Sequence, residues 1–231
     1  MENASKALVM AGSVLMALMV LGAFMLMYNK FANFEQTKTD IDESSKLTNY
    51  NHKFEQYNRT IYGSELLSLA NLREDYNKAQ SDIKGYQKVE IKVSMIRAVE
   101  ANGTTYVGAS RYNIQTLLNG IKKLEEDIKD GEREKPRTVN GKRKNYSLKK
   151  WSQMSNRQIA NEFELHIPSS AEESEIEDKL IEAGASSLLD DLAKYRNLKT
   201  TYTEIKNSQF KCSKTDYSTV GRLNYMEFTE L

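Results

Sequence analysis

Leu8 to Met27 carries no charged residue, although 28% of the chain is charged and its mean hydropathy is −0.64. The run reads LVMAGSVLMALMVLGAFMLM, twenty residues whose most polar member is Ser13. At about 1.5 Å per residue a helix of that length spans roughly 30 Å, the thickness of a bilayer's hydrocarbon core. Inside lipid the backbone must satisfy its own hydrogen bonds, so a helix is expected. Tyr28 and Lys30 follow at once, an aromatic ring and a cation suited to the headgroup level. Residues 1–30 therefore read as a transmembrane anchor, with the lipid bilayer as partner. A cleaved signal peptide is the competing reading, with Lys6 in its charged start and Leu21-Gly22-Ala23 as its cleavage site. The apolar run, however, exceeds the roughly 7–15 residues usual for such a segment. A buried core helix normally shows a polar stripe, and this run has none.

Beyond the anchor, periodicity divides the chain into a spine, 31–84, and a head, 85–231. Nothing between Phe31 and Ile41 breaks a helix. Leu47, Tyr50, Phe54, Tyr57 and Ile61 then recur at spacings of three and four, an amphipathic stripe. Gly63 interrupts, Ser64 is a candidate cap, and Leu66, Leu69, Leu72 and Tyr76 carry the helical period on to about Lys84. Val89 to Met95 alternates apolar with polar residues and reads as a half-buried strand. Asn102-Gly103 marks a turn, from which Thr104 to Val107 pairs back as a second short strand. Ile114, Leu117, Leu118, Ile121, Leu124 and Ile128 restore the helical period. Ser170 with Glu173 suggests a capping box for a helix reaching Arg196. Phe210 to Ser213 and Leu223 to Phe228 read as a hairpin about a turn at Asp216 to Gly221. The fold class expected is α+β: the membrane helix, the spine, and a head with a small antiparallel sheet and further helices.

Two groups of residues stand out as candidate contacts. Ala7 with Ala11, and Ser13 with Ala17, are small residues four apart in the anchor, a spacing that lets transmembrane helices approach closely. The alternative is ordinary membrane composition, in which small residues are common. Residues 135–150 hold seven Lys or Arg and no acid. With Pro136 and Asn140-Gly141 this stretch is expected to be a loop, and Lys142, Arg143, Lys144, Lys149 and Lys150 are its candidates for contact with lipid headgroups or a polyanionic cell-wall polymer. The plainer reading is a solvated loop balanced by acids elsewhere.

Signs of catalysis are few. His52 and His166 have no companion at metal-ligand spacing, and the single Cys212 excludes both an intramolecular disulfide and a Cys-x-x-Cys motif. Neither a phosphate-binding glycine loop nor a Gly-x-Ser-x-Gly elbow occurs. Cys212, on an expected strand between polar neighbours, reads as a small half-buried side chain. No enzyme, cofactor or metal is expected, and a net charge of +1 gives no argument for nucleic acid.

An apolar N-terminal helix, an amphipathic continuation and a sheet-bearing head resemble the layout of type IV pilins and pseudopilins. Met1 to Leu8 is similar to the start of small single-pass membrane proteins of Gram-positive bacteria, some of them pilin-like. The same holds for Phe54 to Asn77, with Phe54-x-x-Tyr57, Gly63 and Tyr76-Asn77, and for Phe210-Lys211-Cys212 with Gly221-Arg222. The resemblance implies a head exported across the membrane, a structural or assembly role at the bacterial surface, and association with itself or a partner protein through the anchor and the 47–61 stripe. The chain departs from the family in lacking a leader ending in Gly, a Glu early in the apolar helix, and paired C-terminal cysteines. Lysine counting alone favours the opposite topology, since Lys30, Lys38 and Lys46 outnumber Lys6. A membrane-tethered binding module working through the basic stretch is the alternative function.

Overall fold

The computed structural model describes residues 2–79 and 88–231. Two compact units divide at Lys53/Phe54. The first belongs to one continuous helix, α1 (Glu2–Glu55), so the expectation that the apolar run continues through Phe31 to Ile41 without a break is met. Within it Lys6–Gln36 is long and apolar enough to cross a membrane, and none of its most apolar stretch is buried.

The second unit has mixed α and β structure. Its main sheet has five strands in the order β1 (Thr60–Tyr62), β8 (Gln209–Tyr217), β9 (Leu223–Glu230), β2 (Glu90–Ser94) and β5 (Arg111–Asn113). The predicted strand at Val89 and hairpin at the C-terminus are both present. The sheet is nevertheless mixed, because β2 lies parallel to β9, with Ile91 beside Met226 and Val93 beside Phe228. Thr104 to Val107 is a strand, β4, but it pairs with β3 (Val99–Ala101) in a separate two-stranded ribbon. Ile91, Val93, Phe210, Met226 and Phe228 are all fully buried, as are Leu66 and Leu69 on α2 (Gly63–Ala79). Helix α3 (Ile114–Glu132) buries the predicted stripe from Ile114 to Ile128. Each such side chain contributes about 1.5–3 kcal/mol by leaving water.

The expected helical spine is interrupted. Helix α1 ends at Glu55, Tyr57 and Ile61 lie beyond it, and Ile61 is buried in β1 opposite Phe210. Phe54 is also fully buried, its ring edge-on to Tyr76 at 5.9 Å. These members of the 47–61 stripe are thus spent inside the head's own core. Gly63 explains the break: its N–H donates to Ser208 O at 2.8 Å, and a Cβ there would lie 1.8 Å from the Ile205 carbonyl oxygen. Only glycine permits that approach. Ser64 falls inside α2 rather than capping it. Residues 80–84, where the spine was expected to end, lie outside the described residues.

Two further expectations are corrected. The helix expected from Ser170 to Arg196 is two helices, α6 (Glu173–Glu182) and α7 (Ser186–Asn207), separated at Gly184, whose φ of +87° ends a helix readily. Its cap is displaced by two residues, with the Glu175 carboxylate accepting from the Glu172 N–H at 3.3 Å. The basic stretch is no loop: β6 (Lys135–Val139) and β7 (Lys142–Tyr146) form a regular hairpin turning at Asn140-Gly141, both with positive φ. That is the signature of a tight two-residue hairpin turn.

Beneath the hairpin lies a second core. Trp151, at the end of α4 (Leu148–Trp151), is fully buried, stacks on Phe163 at 5.3 Å and meets Tyr146 at 4.9 Å. Val139, Ile159, Ile176, Leu180, Leu188 and Leu192 complete it, bringing together the hairpin, α5 (Asn156–Glu162), α6 and the start of α7.

Candidate functional site

The small residues of the anchor do not form one seam. At about 100° per residue, Ala7 and Ala11 share one side of α1, while Ser13 and Ala17 share another roughly 120° away. All four are exposed, and the Ser13 hydroxyl donates to Met10 O at 2.8 Å. That bond satisfies its only donor within the helix, a requirement in lipid. The other side chains of the run are apolar all round, and its large residues are 50–79% exposed.

The basic hairpin is surrounded by acids. Lys142 Nζ lies 3.0 Å from Glu164, Lys144 lies 3.4 Å from Glu162 at the end of α5, and Lys149 lies 3.4 Å from Glu132 at the end of α3. Lys150 sits 3.5 Å above the Tyr146 ring. Lys135 reaches Asp130 at 2.8 Å, and Arg137, four-fifths buried, reaches Asp191 at 2.5 Å. Arg143 is the exception, exposed and facing no carboxylate among the described residues. Four of the five candidate cations therefore turn toward separate acidic or aromatic partners rather than converging, and little net positive charge remains to gather an anion.

Elsewhere the ionisable groups serve packing. Glu74 on α2 is held by Lys78 at 2.6 Å and by Lys122 of α3 at 3.2 Å, and these cations bring its carboxyl down to about 2. Burial, with a bond to Asp127, pushes the Tyr106 hydroxyl up to about 12, and burial with Glu125 does the same for Tyr202. Burial also raises the Cys212 thiol, which is half-buried on β8 as its alternation suggested. A thiol held protonated is a poor nucleophile. Among the described residues no three His, Cys, Asp or Glu side chains are grouped to hold a metal ion.

One polar cluster had no signal in the sequence. Glu230, one residue from the end, is 4% exposed. It accepts from the Ile96 N–H at 2.9 Å and from Arg97 Nε at 3.2 Å, while Arg97 also donates to Ser208 Oγ at 2.9 Å. Ile96 and Arg97 stand 133 positions or more from Glu230, so only the parallel pairing of β2 with β9 reveals the contact. Beside it, an open groove runs along α7 past Lys199, Thr200, Thr203 and Asn207. Its lining residues are all polar or charged and it lies open to solvent, whereas a substrate pocket is enclosed and mostly apolar.

No family model, curated protein or solved structure matches the chain.

Proposed function

We propose that this protein is a non-enzymatic, single-pass membrane protein with a structural or assembly role, pilin-like, its α+β head displayed at the bacterial cell surface. The observation that carries the reading is the fully exposed apolar surface of α1. Fourteen large side chains between Leu8 and Met27 lie open. At about 1.5–3 kcal/mol each, their contact with water would cost roughly 20–40 kcal/mol. A bilayer removes that cost and asks nothing of a run whose backbone bonds are all internal. The head supports the same reading from the other side, because its buried carboxylate Glu230 is bonded by Ile96 and Arg97 and burial raises the pKa of its one thiol. Pairing of the hairpin cations with acids speaks against the basic stretch as the main point of ligand contact.

The test is labelling from outside. Single cysteines at the exposed positions Asn145 and Ser169, in a Cys212→Ser background, are treated with a membrane-impermeant maleimide on intact cells. Labelling at both sites is expected. Labelling only after lysis would put the head in the cytoplasm and defeat the surface role, while leaving the anchor standing.

A further inference from the structure

The main sheet ends on one side in a long strand that is only partly covered. Strand β8 runs from Gln209 to Tyr217, yet β1 pairs only with Gln209 to Lys211, and the Cys212 N–H adds one bond to Arg59 O at 3.3 Å. From Ser213 to Tyr217 the outer edge of β8 has no neighbouring strand among the described residues. Toward the opposite side of the sheet, the backbone of Val89, the residue before β2, is closed by side chains. Asn77 bonds both the N–H and C=O of Val89, and Arg73 Nε bonds the same carbonyl. Among the described residues β8 has cover only at the two ends of the segment Ser213 to Tyr217, from Arg59 at the Cys212 N–H and from Glu55 at the Tyr217 hydroxyl. Its free segment is held extended all the same, since Ser213 Oγ bonds Glu227 O at 3.2 Å and the Tyr217 hydroxyl bonds Glu55 at 2.8 Å. A strand held in its pairing conformation loses little entropy when it pairs.

The edge carries a charge pattern that selects its partner. Lys214 and Asp216 project on the same polar face of the sheet, 2.6 Å apart at their charged ends, with Lys214 also near the Tyr225 ring. A bulge at Ser213 and a lysine in mid-edge are devices that discourage indiscriminate pairing. Exchanging that internal ion pair for cross-strand ones asks a partner strand for an acid opposite Lys214 and a base opposite Asp216. Antiparallel pairing about a two-fold axis through Thr215 supplies both, because Lys214 of each copy falls opposite Asp216 of the other and Ser213 opposite Tyr217. We infer that two copies of this chain pair through the free edges of β8, joining their five-stranded sheets into one continuous sheet centred on Thr215. The contact is isologous, so the same short segment supplies both halves. It is separate from any association of the membrane helices and does not depend on the side of the membrane on which the head lies.

Site-specific crosslinking of the full chain in detergent tests this directly. In a Cys212→Ser background, Thr215→Cys places two thiols opposite each other across the two-fold, within the Cα separation a disulfide accepts. Mild oxidation should give a crosslinked dimer. Adding Lys214→Asp makes the segment wholly acidic, and adding Asp216→Lys makes it wholly basic. Each variant alone should lose dimer by about tenfold, since two attractive cross-strand pairs become two repulsive ones. An equal mixture of the two should restore crosslinking as the mixed dimer. Neither chain has an internal 214–216 ion pair, so recovery on mixing reports the contact between copies and not repair of either fold. The proposal is overturned if Thr215→Cys gives no dimer, or if mixing restores nothing. Dimer yield indifferent to both charge changes would overturn it too, as it would point to association elsewhere, through the membrane helices for instance.

Discussion

Helix α3, rich in Leu and Ile, and the first half of α1, rich in Leu, Met and Val, solve opposite problems. Six apolar residues of α3, Ile114 to Ile128, fall on one side and are buried, while the intervening Lys122, Lys123, Glu125 and Glu126 are left to the solvent side or to ion pairs such as Lys122 with Glu74. That helix carries its partner within the same chain. Between Leu8 and Met27 the apolar residues surround α1 completely, and nothing among the described residues covers them. An amphipathic stripe specifies a protein core; an all-round apolar surface specifies a solvent. The difference lies in where the charges fall along the helix more than in the number of apolar residues.

The comparison can be broken most severely by giving α1 charge. Leu15→Arg combined with Leu18→Arg places two cations near the middle of the run, at a cost of about 5–7 kcal/mol for insertion. The protein should shift from the membrane fraction to the soluble or degraded fraction. A membrane yield equal to that of the wild type would show that the run is not the anchor. Next in size is a matched pair of truncations. Leu124 is fully buried in α3, so Leu124→Ala should lower the unfolding stability of the head by about 2–5 kcal/mol. Leu18→Ala, on an exposed position, should leave the denaturant midpoint of the same transition unchanged.

Gly63→Ala sharpens the account of where helix gives way to sheet. The added Cβ would collide with the backbone of Ile205, so the start of α2 and the end of α7 must separate, with a loss of about 1–3 kcal/mol read by thermal or denaturant unfolding. The smallest effect concerns acid. Glu74 is held near 2 by Lys78 and Lys122, below its ordinary 4.5. A depressed carboxyl contributes its stability fully above the unfolded value and loses it as pH falls through the folded one. The wild type should therefore exceed Glu74→Gln in stability at neutral pH, and the two should converge between about pH 4.5 and 2. A constant gap across that range would show that the two lysines do not set this titration.

Much of the architecture was legible where one period dominated a segment. The uncharged run, the α3 stripe, the alternation from Val89 and the C-terminal hairpin each follow from residues within a few positions of one another. The failures share a cause as well. The parallel pairing of β2 with β9, and the bond from Glu230 to Ile96, join residues more than 130 positions apart and leave no local trace. Ile61 continued a helical spacing by coincidence, and the close approach of Gly63 to Ile205 decided against it. The basic stretch reads as a loop in the sequence because both faces of its strands are polar, which hides the period of two. Its Asn140-Gly141 turn was the signal that it forms a hairpin. The separate acids that Lys142, Lys144 and Lys149 meet were not foreseeable individually, since Glu162, Glu164 and Glu132 reach them only through the packing around Trp151. The small residues of the anchor were fully legible, and helical geometry alone divides them between two sides.

The central claim is that α1 holds the protein in a bilayer, and alkaline carbonate extraction of membranes from cells expressing the full chain tests it most directly. The account predicts that the protein stays in the membrane pellet at the full mass of the unprocessed chain. Release into the supernatant, or a mass lacking the residues up to Ala23, would contradict it and make the apolar run a peripheral or cleaved segment.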